Sequence, residues 1–336
     1  MGSTLVRDRQ GSSGGRAPAL GDELDHYRLV EKLGSGGMGT VWVGEHVLLG
    51  RRMAIKALHA NLARDAEVIR RLFLEARTVN QVAHKNIVEI FDAGRTKDGV
   101  SYLVLELLKG RDLSQTFKAE TPFPVARSLG ILRQIASALT AAHGKQIIHR
   151  DLKPENVFLI ERDGRADFVK LLDFGLAKLI EPGAAGSPGS IDADSTRAGT
   201  ILGTPEYMSP EQSVGDAVDT RSDIYSLAVL AFSLLSGRLP FQGASLVELR
   251  VARLQNAAPA LPQVSPSGEV VPERLRQLVA RCLGLDPADR VQTMAEILKE
   301  LEATGDGPFE RRQPTETEPA RSIPRRRTAR SRRVGG

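Results

Sequence analysis

His149-Arg150-Asp151-Leu152-Lys153-Pro154-Glu155-Asn156, followed at Asp173 by Asp173-Phe174-Gly175, sets out three chemical parts in a fixed order. Asp151 is a carboxylate able to accept a hydroxyl proton. Asn156 offers an amide oxygen to a metal, and Asp173 offers a second, anionic oxygen for Mg2+. A site that works by positioning and charge neutralisation needs these groups, and phosphoryl transfer is such a chemistry. Either motif alone is short enough to be an ordinary loop or turn. The order, the spacing of about twenty residues and a matching loop upstream carry the reading.

That loop is Gly34-Ser35-Gly36-Gly37-Met38-Gly39-Thr40-Val41, preceded by Leu33. Its G-x-G-x-x-G-x-V pattern brings backbone close to phosphates because glycine has no Cβ. The same spacing also marks a dinucleotide-binding turn, which must open a helix. Here Thr40-Val41-Trp42-Val43-Gly44-Glu45-His46-Val47 is β-branched and aromatic and predicts a strand, so the loop reads as a hairpin over a nucleotide. Met53-Ala54-Ile55-Lys56 follows as a short apolar run ending in a candidate phosphate ligand, Lys56. Val68, Ile69, Leu72, Phe73, Ala76 and Val79 recur at helical spacing and predict an amphipathic helix over about 65–82. Helix position alone leaves Glu75 with two readings: a partner for Lys56, or a surface carboxylate paired with Arg71 one turn away.

From about Tyr27 to about Leu301 the chain resembles the eukaryotic-like (Hanks-type) serine/threonine protein kinases, and its Leu-Gly-Ser-Gly-Gly-Met-Gly-Thr-Val-Trp loop is most similar to bacterial members. The resemblance implies an α+β, bilobal protein-kinase fold. Its N-lobe, residues 27–106, would be an antiparallel β-sheet with one helix. Its C-lobe, residues 109–301, would be mainly α-helical, and ATP with Mg2+ would lie between them. It also implies that Glu75 pairs with Lys56, that the backbone at Glu106 and Leu108 binds adenine, and that Leu33, Val41, Ala54, Leu105 and Phe158 line the adenine. Gly34, Gly36 and Gly39 would cover the phosphates. Asn156 and Asp173 would hold the metal, with Asp151 as catalytic base and Lys153 facing the transferred phosphoryl group.

Lys153 and Thr204, in Gly203-Thr204-Pro205-Glu206-Tyr207, resemble the serine/threonine-specific forms of their motifs, which points to Ser/Thr hydroxyls of proteins as acceptors. Ser209-Pro210-Glu211 stands where the family has Ala-Pro-Glu. Glu211 is expected to pair with Arg290, and Asp223 to anchor the catalytic loop. Arg150, directly before Asp151, implies a cationic pocket for an activation-loop phosphate, with Thr196 or Thr200 as the site of autophosphorylation. Self-association would allow that reaction in trans. The alternative is a pseudokinase or ATP-binding scaffold, which would normally lack one of Lys56, Glu75, Asp151, Asn156 and Asp173; all five are present.

Composition bounds the rest. The 336 residues, 41% hydrophobic, suffice for one two-lobed domain with flanks. A single cysteine, Cys282, excludes a disulfide scaffold and suits a reducing, cytoplasmic setting. The six histidines show no metal-ligand spacing, and no apolar run reaches the length of a membrane span. Residues 1–26 read as a disordered Gly/Ser-rich arm and 302–336 as a disordered Pro/Arg-rich tail. Within that tail the basic block from Arg321 to Arg333 suits an acidic partner.

Overall fold

Six antiparallel strands open the fold, and alternation of their side chains decides what each face meets. The computed structural model describes residues 17–174 and 205–304. β1 (Glu23–Leu24), β2 (Tyr27–Ser35), β3 (Gly39–His46), β4 (Arg52–Leu58), β5 (Ile90–Arg95) and β6 (Ser101–Leu105) pair in the order β1-β2-β3-β4-β6-β5. On one face Leu29, Trp42, Met53, Ile55, Ala57, Tyr102 and Val104 form a small core. The other face carries Lys56, with Val41 and Leu103 beside it in register and Ala54 two residues back. Strand β4 is central and covered on both sides, so Met53 to Leu58 is buried throughout, Lys56 included.

The Lys56 face meets α1 (Ala66–Asn80). Asp65 starts this helix, its carboxylate accepting from the Glu67 and Val68 amides and satisfying two end donors. Val68, Leu72 and Ala76 then pack with Leu58 and Leu103.

β1 lies inside the stretch read from sequence as a disordered arm. Leu24, buried beside Tyr27 and Leu29, gives these residues a reason to pair with β2.

After β6 the chain crosses to a second, three-stranded sheet of β7 (Gly110–Asp112), β8 (Val157–Arg162) and β9 (Arg165–Leu171). The helices α2 (Leu113–Glu120), α3 (Val125–His143), α4 (Pro210–Val214), α5 (Thr220–Ser236), α6 (Leu246–Gln255), α7 (Glu273–Cys282) and α8 (Met294–Ala303) complete this half. From Ser222 to Leu235 every residue of α5 is buried. A helix buried all round must be an axis with others packed on it, and α3, α7 and α8 supply that packing around a core containing Leu132, Ile135, Leu275 and Ile297. α8 runs to Ala303, two residues past the boundary read from sequence. Among the described residues no helix is long and apolar enough to cross a membrane.

Candidate active site

The loop from His149 to Asn156 hangs from α5. Asp223, fully buried near the start of that helix, accepts the His149 amide on Oδ2 and the Arg150 amide on Oδ1, both at 2.8 Å, and its Oδ2 lies 2.7 Å from His143 Nε2. A carboxylate taken out of water is tolerable only with such a donor set. Gln212, on α4, donates to the Arg150 carbonyl at 2.8 Å. With both backbone groups of Arg150 held, its positive φ of 66° is fixed from outside. The His149 ring is buried and tilted against Phe174, centroids 4.4 Å apart. Burial pulls its pKa down, so the imidazole is a neutral packing group.

Two cationic or amide donors converge on Asp151. Lys153 Nζ lies 2.9 and 2.8 Å from its two carboxylate oxygens, and Asn156 Nδ2 donates to Oδ2 at 2.9 Å and to the Asp151 carbonyl at 2.7 Å. The Asn156 carbonyl in turn accepts the Leu172 amide at 2.9 Å, which ties the loop to the residue before Asp173. Asp173 follows with φ of 52°.

Lys56 Nζ lies 2.6 Å from Asp173 Oδ1. In this conformation the carboxylate bonded to the buried Lys56 ammonium is that of Asp173, not that of Glu75, the partner the resemblance implies. Glu75 is half-buried on the sheet side of α1, while Arg71, its other expected partner, pairs with Glu67 at 2.8 Å. Arg70 engages the same carboxylate, and these two hydrogen bonds hold the Glu67 pKa at about 2.

Further along the cleft, Ala54 is opposite both Val43 and Leu105, so Val41, Ala54, Leu105 and Lys56 share one face. Leu33 is half exposed on β2, and Phe158 is half-buried on β8. The Glu106 amide donates to the Glu89 carbonyl at 3.0 Å, leaving the Glu106 carbonyl as the acceptor at this position. Leu108, half-buried, is the next candidate adenine contact. The glycines of the loop divide by role. A Cβ at Gly39 would sit 2.1 Å from the Ala57 carbonyl oxygen, whereas Gly34 and Gly36 have open space there. Gly39 is demanded by packing against β4, and Gly34 and Gly36 are the ones with room for a ligand.

Asp173 and Asn156 fit Mg2+ as donors: both offer hard oxygens, and this ion commonly takes one or two protein ligands and completes its shell with phosphates and water. The Asn156 Nδ2 bond to Asp151 leaves that donor logic intact, because an amide binds metal through oxygen.

Sequence reasoning missed the ion pair of Lys170 with Glu106, 2.7 Å apart, which joins β9 to the segment after β6. Lys170 sits in a run of strand residues and only the fold reveals its partner. It also missed His143 beneath Asp223. The Glu211 and Arg290 side chains do form a bidentate pair, at 2.9 and 2.7 Å, and Ser222 Oγ donates to Glu211 at 2.5 Å. Burial pushes the Glu211 carboxyl up, but these donors outweigh it and hold its pKa at about 2. Arg150 Nε is buried with no hydrogen-bond partner among the described residues. Thr196, Thr200 and Thr204 lie outside the described residues, as does the basic tail.

Comparison with known proteins converges on one family. The protein kinase domain family matches residues 27–301. The chain is 44% identical over 285 residues to the serine/threonine-protein kinase Pkn1 of Myxococcus xanthus, covering 85% of this chain and 39% of that protein. It is 37% identical over 293 residues to PknL of Mycobacterium tuberculosis, covering 87% and 69%. It thus spans about two fifths of Pkn1. The crystal structure of the M. tuberculosis PknI kinase domain superposes with a TM-score of 0.62 at 27% identity, covering 86% of this chain and 99% of that one. Fold, matched residues and relatives agree: the chain belongs to the protein kinase domain family, among its bacterial Hanks-type serine/threonine members.

Proposed function

We propose that the chain is an ATP- and Mg2+-dependent serine/threonine protein kinase that transfers the γ-phosphoryl group to Ser/Thr hydroxyls of proteins. The observation that carries this reading is the Asp151 carboxylate, held between Lys153 and Asn156 on a loop anchored by Asp223. In that position Asp151 orients the acceptor hydroxyl and takes its proton, while the Lys153 ammonium neutralises charge on the phosphoryl group in transit. Lys56 and the loop around Gly34 and Gly36 hold the phosphates; Asp173 steadies Lys56 in the conformation described, and Glu75 would take its place once Asp173 turns to the metal. Magnesium held by Asn156 and Asp173 would supply positive charge against the phosphates. Leu33, Val41, Ala54, Leu105 and Phe158 enclose the adenine, with the Glu106 carbonyl and Leu108 backbone as its polar contacts.

Phosphorylation of Thr196 or Thr200, by a second copy of the chain, would give Arg150 an anionic partner; the unbonded Nε supports this. Thr204 would bridge the ordered loop to Asp151. The basic tail would bind an acidic partner, and a cytoplasmic setting suits both ATP supply and the single buried thiol. The test is transfer of phosphate from ATP to a generic protein substrate by the wild-type chain and by Asp151→Asn. Equal activity of the two would dismiss the assignment.

A further inference from the structure

A cleft of about 310 Å3 lies away from the nucleotide site, between α5, α6, α7 and the start of α4. Phe241, Leu283 and Leu285 give it apolar walls, while Tyr225, Arg253 and Asn256 are its polar members. Arg253 is 4% exposed and Tyr225 1% exposed. The Arg253 guanidinium donates through Nη2 to the carbonyls of Pro205 (2.9 Å) and Glu206 (2.8 Å). Its Nε and Nη1, and the Tyr225 hydroxyl, meet no well-aligned hydrogen-bond partner among the described residues other than each other. The two groups are neighbours, with the Arg253 Cζ 5.8 Å from the Tyr225 ring centroid. No carboxylate is among the described lining residues.

A guanidinium held out of water by two carbonyls, with Tyr225 and the Glu206 carboxylate near enough to attract it, still has donors that an anion would satisfy. Guanidinium and phenol donors together suit a carboxylate, and the walls suit an apolar body attached to it. Burial pushes the Tyr225 hydroxyl's pKa up, so it remains a donor at neutral pH. The cleft volume falls at the small end of ligand sites. We propose that this cleft is a binding site for a small carboxylate with an apolar body, whose carboxylate bonds Arg253 and Tyr225. Because Arg253 also holds the Pro205 and Glu206 carbonyls, an occupant would bear directly on the segment that leads into α4. The inference is independent of the kinase reading.

Calorimetric titration of the 336-residue chain with phenylacetate, beside its neutral isostere 2-phenylethanol, tests it. Saturable one-site binding is expected for phenylacetate, with the alcohol at least about tenfold weaker. Tyr225→Phe, which removes only a hydroxyl, should weaken binding about threefold or more. Ala280→Phe, which adds bulk to the lining from an exposed position of α7, should abolish it. Arg253→Gln should abolish it as well; since that change also frees two carbonyls, the other two variants decide if it fails to fold.

Absence of saturation up to about 10 mM would overturn the proposal, as would equal binding of the alcohol or indifference to both Tyr225→Phe and Ala280→Phe. Competition by ATP would place the probe in the nucleotide cleft and overturn it too. Glu206 Oε2 is likewise buried without a partner. If phenylacetate bound only to Glu206→Gln, Glu206 would be the guanidinium's own partner and the cleft no ligand site.

Discussion

Lys56 Nζ on β4 sits 2.6 Å from Asp173 Oδ1, two residues beyond β9, joining residues 117 positions apart across the cleft between the two sheets. The ammonium is nearly buried and the carboxylate partly exposed, so the pair is asymmetric: Lys56 depends on Asp173 more than the reverse. Removing the ammonium leaves Asp173 with access to water, whereas removing the carboxylate strands a buried cation.

Lys56→Met should therefore abolish phosphoryl transfer, by at least about 100-fold, while moving Tm by no more than about 3 °C, because the methionine keeps the stem's packing and no charge is left buried. Transfer assays and thermal unfolding on the same preparation check this. Activity within tenfold of wild type would remove Lys56 from the phosphate site.

The glycine-rich loop gives a paired prediction. Gly39→Ala should destabilise the fold by about 1–3 kcal/mol, since its Cβ would overlap the Ala57 carbonyl and force β3 away from β4. Gly36→Ala meets open space, so stability should hold within about 0.5 kcal/mol while the KM for ATP rises. Denaturant midpoints and ATP kinetics separate the two. Equal stability losses would mean that the loop glycines share one role.

Acid stability should report on Glu211. Its pKa, near 2 in the fold, lies below the unfolded value, so its contribution is present above the ordinary carboxylate range and is lost as pH falls toward 2. Glu211→Gln should cost about 3 kcal/mol or more at neutral pH, because Arg290 is left as a buried cation, and should flatten the decline between about pH 4.5 and 2. Urea midpoints from pH 2 to 7 in both proteins give the comparison. Parallel curves would show that another carboxylate governs the acid limb.

The legible parts of this molecule are those whose chemistry is close in sequence. His149 to Asn156 could be read because Asp151, Lys153 and Asn156 meet within one loop, β3 because its residues are β-branched and aromatic, and α1 because its apolar residues recur at helical spacing. Pairings that depend on how two elements approach were not legible. Glu75 has helical spacing toward the sheet, yet spacing says nothing of which carboxylate stands nearer Lys56. Gly39 was read as a phosphate glycine, but its closest demand comes from Ala57 on the neighbouring strand. Lys170 and Arg253 are buried cations whose partners lie 64 and 48 positions away, and no local pattern marks them.

Asp151 and Asp173 are both carboxylates at the cleft, and their contacts assign them different work. Asp151 is bonded by Lys153 and Asn156, whereas Asp173 is bonded by Lys56. Asp151→Asn should thus lower kcat by about 1,000-fold or more, through loss of the proton acceptor and of the Lys153 partner, with ATP affinity within about threefold. Asp173→Asn should instead weaken Mg2+-dependent nucleotide binding, because an amide is a poorer ligand for a hard cation than a carboxylate. Nucleotide binding measured with and without Mg2+, beside single-turnover transfer, distinguishes them. A fall in ATP affinity for Asp151→Asn as large as its fall in kcat would move Asp151 to the nucleotide, and Mg2+-independent binding in both wild type and Asp173→Asn would remove Asp173 from the metal.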